Sequence, residues 1–287
     1  MLKVSMSIFI SFTILVGLFG GCSELKEPIS TNQPAKIQVH PKGFLAATDP
    51  DFHGKQIQGL KWDISGCADC HGADFNGGVA ELSCNSCHVD LATNCTLCHG
   101  NNSNPSGSPP SDLLGNTETV NRGVGLHQLH LTSVKADTIE CATCHIVPNS
   151  MFDNGHIDNS DYAEVRFDNQ AVVDSANPLW SSESLKCSNT YCHGNWSLAK
   201  SASSNSGFYT EDAMTGKSAT VGWTDAPSGS CDACHGLPPK GHSASAIEQC
   251  GGCHSNIVDA AGNIVDANKH LHINGQINLF GLEYPMF

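Results

Sequence analysis

The chain has 287 residues, 39% of them hydrophobic and 7% aromatic, and a formal charge of −14. That charge excludes nucleic acid as a partner, because phosphate backbones are bound through basic patches. It suits a basic protein or a cationic metal as partner, and equally it can simply keep a secreted protein soluble.

The N-terminus reads as an export leader. Lys3 supplies the positive start, and Ile8 to Phe19 is an apolar run interrupted by Ser11, Thr13 and Gly17. The run is too short for a retained spanning helix. Gly20 and Gly21 then precede Cys22, an arrangement that looks like a bacterial lipobox: cleavage before Cys22 and lipidation of its thiol. Phe19 departs from that pattern, and an ordinary leader with a free Cys22 is the alternative. Ser23 follows instead of Asp, which by the bacterial sorting rule directs a lipoprotein to the outer membrane, facing the periplasm or the cell surface. Residues 1–21 are thus expected to be a signal peptide and 22–38 a polar tether.

Seven cysteine motifs follow in order. They are Cys67/Cys70/His71, Cys84/Cys87/His88, Cys95/Cys98/His99, Cys141/Cys144/His145, Cys187/Cys192/His193, Cys231/Cys234/His235 and Cys250/Cys253/His254. Six have two residues between the cysteines, and the fifth has four. Cys-x-x-Cys-His is the attachment site of c-type haem. Two thiols bond the two vinyl groups of one porphyrin, and the following His becomes the proximal iron ligand. Structural zinc would need paired Cys-x-x-Cys units, and a redox dithiol would need one. Neither explains a His after every second Cys. Fourteen of the 15 cysteines are used, and the last is Cys22. The cofactor expected is therefore haem c, seven copies, covalently attached. At the stretched site a disulfide or a free pair, with six haems in all, stays open.

Fifteen histidines are present, seven of them in the motifs. His40, His53, His127, His130, His156, His242, His270 and His272 remain, one more than seven distal ligands require. An internal repeat orders some of them. Cys95 to Asn159 and Cys231 to Gly275 each run through Cys-x-x-Cys-His-Gly, a Pro-Pro (Pro109-Pro110; Pro238-Pro239), a His, a second motif and a His-Ile-Asp or His-Ile-Asn. His156 then corresponds to His272, and His242 to His127 or His130, which leaves His270 as the spare. His127 and His130 lie three apart, share a helix face, and can reach two irons. His40 and His53 are expected to fold back on the early haems. Methionine ligation is possible through Met151, Met214 or Met286 but is not required.

The fold expected is mostly irregular, with short α-helices after the motifs and little β: a compact, covalently haem-packed cytochrome. Alternation over Ala163-Glu164-Val165-Arg166-Phe167 predicts one short strand. Residues 197–230, rich in Ser, Gly and Thr, read as a loop. Residues 39–165 carry four motifs and 166–287 three, as two regions of one continuous haem array. His88 and His99 are eleven residues apart, so their haems are expected to be close neighbours.

Cys187-Ser-Asn-Thr-Tyr-Cys192-His193-Gly194, followed by Cys-x-x-Cys-His-Gly-x-Pro-Pro, resembles the multihaem c-type cytochromes of metal-reducing bacteria. In that family the C-x4-C-H site is read as haem-binding. His40-Pro-x-Gly and Phe52-His53-Gly54 upstream extend the resemblance over most of residues 40–275. It implies a lipidated or secreted cytochrome in respiratory or extracellular electron transfer. Partners would be other redox proteins (cytochromes, porin-cytochrome components) or an extracellular metal acceptor, with the membrane reached through the lipid. Two other functions compete. One is a multihaem oxidoreductase with one open haem acting on a nitrogen or sulfur oxyanion. The other is a subunit of a haem filament, bridged through His270 or His40.

Overall fold

A computed structural model describes residues 39–100, 111–158, 160, 162–225 and 230–286. The leader, Cys22, the tether and Pro109-Pro110 lie outside the described residues. The chain divides into two units, Met1–His53 and Gly54–Phe287.

In the first unit the backbone turns at 41–52. The His53 amide closes on the Phe44 carbonyl at 2.8 Å. At His53 a seven-residue helix begins, α1 (His53–Gly59).

The second unit is mostly irregular, as its Gly-, Asn- and Ser-rich sequence dictates. Its helices are α2 (Ala68–His71), α3 (His127–Leu131) and α4 (Ile247–Cys253). Isolated helices this short are unstable in water, so each depends on its surroundings. Instead of following the motifs, as expected, helical turns coincide with them. 3-10 turns cover Cys84–Ser86, Cys95–Leu97, Cys141–Thr143 and Tyr191–His193, while α2 and α4 contain Cys70 and Cys250/Cys253. A helical turn is what sets two cysteines three positions apart on one side of the chain. Among the described residues no helix is long and apolar enough to cross a membrane.

Strands are short. β1 (Leu179–Ser181), β2 (Lys186–Ser188) and β5 (Val221–Gly222) form an antiparallel sheet in the order β1-β2-β5. β3 (Ser197–Ala199) pairs with β4 (Ala213–Thr215), and β6 (Gln276–Leu279) with β7 (Leu282–Pro285). The β6–β7 turn has φ of 53° at Phe280 and 75° at Gly281, which is how a two-residue hairpin follows the strand twist.

The structure corrects two further expectations about the elements. Residues 163–167 form no strand. Their neighbourhood is extended but bonds to a helical turn: the Arg166 amide donates to the Cys144 carbonyl (2.9 Å) and the Asp168 amide to that of Thr143 (3.0 Å). A turn offers two carbonyls, not a ladder. Residues 197–230 are not simply a loop either, since they carry β3, β4 and β5. They also carry a cluster of buried side chains, Leu198, Tyr209 and Met214, with Trp196, Phe208, Ile277 and Met286 against it. Leu198→Ala is expected to cost about 2–5 kcal/mol, the range for emptying a buried leucine site. Chemical denaturation of the holoprotein checks this.

The polypeptide's own core is otherwise thin. Twelve hydrophobic residues are buried among the described ones, and none of the large side chains is fully so. Apolar residues beside the motifs stay on the surface of the polypeptide: Leu82, Val89, Ile146 and Leu237 are all at least 44% exposed.

Candidate haem-binding sites

The motif geometry repeats. In four motifs the amide of the His donates to the carbonyl of the first Cys: His88 to Cys84 (2.9 Å), His99 to Cys95 (2.8 Å), His145 to Cys141 (2.9 Å) and His254 to Cys250 (2.8 Å). The fourteen motif cysteines are all unbridged.

The polypeptide does not shelter these cysteines evenly. Cys70, Cys87, Cys95, Cys141 and Cys231 are exposed, and the other motif cysteines are half-buried. Cys87 shows the reason. It lies one residue past the end of the Cys84–Ser86 turn, at φ −122° and ψ −33°. Its amide bonds back within that turn, to Cys84 O at 3.2 Å. Cys144 occupies the same place after its own turn, but there the Arg166 amide ties a second stretch of chain to the Cys144 carbonyl. Cover at a motif cysteine thus depends on whether a distant segment crosses its turn. An exposed thiol such as Cys87 is open to reaction from outside the chain, which attachment to a vinyl group requires.

The stretched motif solves its longer spacing by changing secondary structure inside it. Cys187 sits in β2, opposite Trp180 and Val221. Cys192 sits in the Tyr191–His193 turn. Asn189 makes the corner at φ 56°, and the Asn195 side chain donates to its carbonyl at 3.0 Å. Tyr191 is buried, and its hydroxyl accepts from the Gly275 amide at 3.3 Å. In the same spacer Thr190 Oγ1 is buried without a hydrogen-bond partner among the described residues, a polar atom left for a bound group or water.

A backbone clip joins this motif to the next. The Lys217 amide donates to Cys234 O (2.9 Å), Ser218 to Gly194 O (3.0 Å) and Ala219 to His193 O (2.9 Å). Gly194 has φ +91°, and a Cβ there would run into the Cys234 carbonyl. Only glycine permits that approach.

The histidines share one hydrogen-bond pattern. Among the motif residues, Nδ1 of His71, His145, His235 and His254 meets the carbonyls of Leu82, Glu164, Gly236 and Asn278 at 2.7–3.0 Å. Outside the motifs, Nδ1 of His127, His130, His156, His242 and His272 meets those of Val124, Leu126, Met151, Ser243 and Lys135 at 2.6–3.0 Å. A carbonyl only accepts, so Nδ1 carries the proton and Nε2 keeps its lone pair. This is the usual outer support of a metal-bound imidazole. The β6–β7 hairpin serves this purpose for His254: β6 supplies the Asn278 carbonyl, and the Phe280 amide ties the hairpin to Cys253 O at 2.7 Å.

Four motif histidines each face one histidine from outside the motifs. Ring centres are 5.8 Å apart for His99 and His156, 6.2 Å for His145 and His127, 6.3 Å for His193 and His130, and 6.3 Å for His235 and His272. Two imidazoles bonded to opposite sides of one metal, at about 2 Å each, have centres about 6 Å apart. The spacing fits a haem iron, and so do the Nε2 lone pairs of the six paired histidines held through Nδ1. His254 lies near enough to His242 for their charges to oppose each other. His127 and His130 are both on α3 and serve different motifs. His270 is exposed, in the 3-10 turn Asp266–Leu271.

His40 and His53 belong to the first unit. There the His40 ring stacks on Phe44 at 4.0 Å, and His53 Nδ1 donates to the Phe44 carbonyl at 2.9 Å.

Burial favours the neutral form of five of the histidines. It pulls His127 and His193 down to about 4 and also lowers His99, His254 and His272. Neutral imidazole is the ligating form. Burial likewise pushes Cys187 and Cys192 up to about 11. Cys144 goes to about 12, through burial and then the nearby Cys187, Cys192 and Cys141 thiols.

Such electrostatic neighbours also place the motifs beside one another. Cys84 feels Cys67, His99 feels His145, Cys144 feels Cys187, Cys192 feels Cys234, and His254 feels His235. The backbone carbonyls that hold the imidazoles left no trace in the sequence, because any residue type can supply one.

Motif turns, carbonyl-held imidazoles and facing histidine pairs are consistent with a multihaem c-type cytochrome with mixed C-x4-C-H and C-x2-C-H sites, and the motifs imply covalently bound haem c. Residues 186–235, which span β2 to His235 and hold both the stretched motif and the one after it, match the Geobacter CxxxxCH...CXXCH motif family. Comparison with curated proteins and with solved structures found no match.

Proposed function

We propose that the chain is a heptahaem electron-transfer cytochrome, anchored in the outer membrane by a lipid on Cys22. It would pass electrons from haem to haem in respiratory or extracellular electron transfer. The observation that carries this reading is the pairing of motif histidines with histidines from elsewhere at the spacing of trans-axial ligands. A haem iron held between such a pair would have an imidazole on each side and no open face for a substrate. Bound haem supplies one-electron chemistry. The polypeptide's tasks are to attach it through the seven cysteine pairs, hold Nε2 of each ligand toward it, and keep its neighbours close.

The repeat supports the remaining assignments. In its first copy the first motif pairs with the last histidine (His99 with His156), as in the second copy (His235 with His272). The second motifs then correspond as His145 with His127 and His254 with His242. Electrostatic proximity in five of the six successive motif pairs, all but the second with the third, favours an array that follows chain order, with residues 39–165 and 166–287 as its two parts. The acidic surface suits a basic redox partner or a metal ion acceptor, and the exposed apolar residues beside the motifs suit contact with porphyrin.

The test is an EPR spectrum of the fully oxidised holoprotein, quantified against total haem. Imidazole planes cross at 81° for His130/His193 and 80° for His235/His272, against 37° for His99/His156 and 32° for His127/His145. Crossed ligand planes leave two iron d-orbitals nearly degenerate, which gives a strongly axial low-spin signal. Planes nearer parallel give a rhombic one. Two haems of the first kind, at least two of the second and no high-spin haem are expected. A stoichiometric high-spin signal would favour the oxidoreductase with an open haem.

A further inference from the structure

Trp223 lies outside every motif, yet it touches both non-motif histidines of α3. Its ring meets His127 edge-on, with centres 4.6 Å apart and planes at 87°. It lies along His130 at 6.0 Å and 26°. Three ties fix it. Nε1–H donates to the Arg122 carbonyl at 2.8 Å, joining residues 101 apart. The Trp223 amide donates to Leu185 O at 2.7 Å, in the β1–β2 connection. Gly125, at φ +44°, lies so close to the indole that a Cβ there would enter the ring. The indole therefore fills the space beside one short helix whose two histidines face two different motifs.

We propose that Trp223 is a positioning residue for two axial ligands at once, setting the ring orientations of His127 and His130 against His145 and His193. The argument is mechanical. An imidazole held through Nδ1 by a carbonyl can still swing about that bond and the χ angles. A flat wall on one side removes this freedom. α3 has five residues and cannot stiffen itself. The indole does so through an aromatic edge contact to one ligand and a face contact to the other. This rests on the reading of His127 and His130 as haem ligands.

The test uses full-length holoprotein carrying Trp223→Leu, Trp223→Phe or Gly125→Ala, read by EPR of the oxidised state. In Trp223→Leu the His130/His193 planes should leave their crossed arrangement. The strongly axial intensity then falls by about half, and one rhombic signal, that of His127/His145, broadens or shifts. The His235/His272 signal stays as it was. Trp223→Phe keeps a flat ring and should restore most of the wild-type spectrum. Gly125→Ala displaces the indole without replacing it and should act like the Leu variant; it decides the matter if the Leu variant does not mature. A wild-type spectrum in both Trp223→Leu and Gly125→Ala overturns the proposal. So does an equal change at all signals in Leu and Phe variants, which would make Trp223 a general packing residue. High-spin haem in the wild type would instead remove the reading on which the proposal rests.

Discussion

Replacing Cys187 and Cys192 together by serine should lower the haem count of the intact protein from seven to six, read by mass spectrometry of the denatured chain. The stretched motif is the one whose spacing a Cys-x-x-Cys-His rule does not cover, so the cofactor count turns on it. The structure supplies a reason for its length. Cys187 is held in a strand and Cys192 in a 3-10 turn, with Asn189 turning the corner between them. The two extra residues make that corner. Both thiols are unbridged and raised by burial, and the following His193 faces His130. A disulfide at this position would give the opposite outcome, six haems in both wild type and variant. The loss should also be felt next door. The Lys217–Ala219 clip bonds this motif to Cys234, so the variant should bind its sixth-motif haem in a looser site, visible as broadening of the His235/His272 signal.

Much of this site was readable from residue types alone. Thiols and motif histidines stand out because attachment of haem c would need those atoms at that spacing. The shared face of His127 and His130 followed from helix periodicity, and α3 places them so. The equivalence of His156 and His272 followed from the repeat, and both face the first motif of their own copy. Other features had no signal to read. The motifs of Cys87 and Cys144 look alike in sequence, yet one cysteine is exposed and the other covered, because the cover comes from a segment some twenty residues away in one case only. β5 has two residues and the other strands three or four, too few for alternation to stand out. The alternating 163–167 segment did stand out, but spent its hydrogen bonds on the turn at Thr143 and Cys144. Leu198, Tyr209 and Met214 form a core from a segment whose Ser, Gly and Thr content reads as loop. Trp223 was one aromatic residue in that same segment, and only the arrival of α3 beside it gives it a role. Long-range contacts of this kind are fixed by the three-dimensional arrangement of the attachment sites, which local periodicity does not encode.

His130→Gly should convert one haem of seven from low to high spin, and His127→Gly should convert a different one. Each substitution removes one trans ligand and leaves a space the size of an imidazole, so added imidazole should restore the low-spin state in both. The two variants sit on adjacent turns of one five-residue helix, and a general loosening of α3 would open both haems in either variant. Independent ligands would open one each, and two in the double variant. The assignment can then be read directly by combining variants. His130 faces His193, whose haem would be attached by Cys187 and Cys192. In a protein carrying His130→Gly with both cysteines replaced by serine, the high-spin signal should vanish, because the haem that produced it is no longer there. The same cysteine pair combined with His127→Gly should leave the high-spin signal in place, since His127 faces His145. A high-spin signal that survives with His130→Gly, or disappears with His127→Gly, would exchange the two ligands. It would also mean that α3 delivers its histidines to the fourth and fifth motifs in the order opposite to the one their ring spacings indicate.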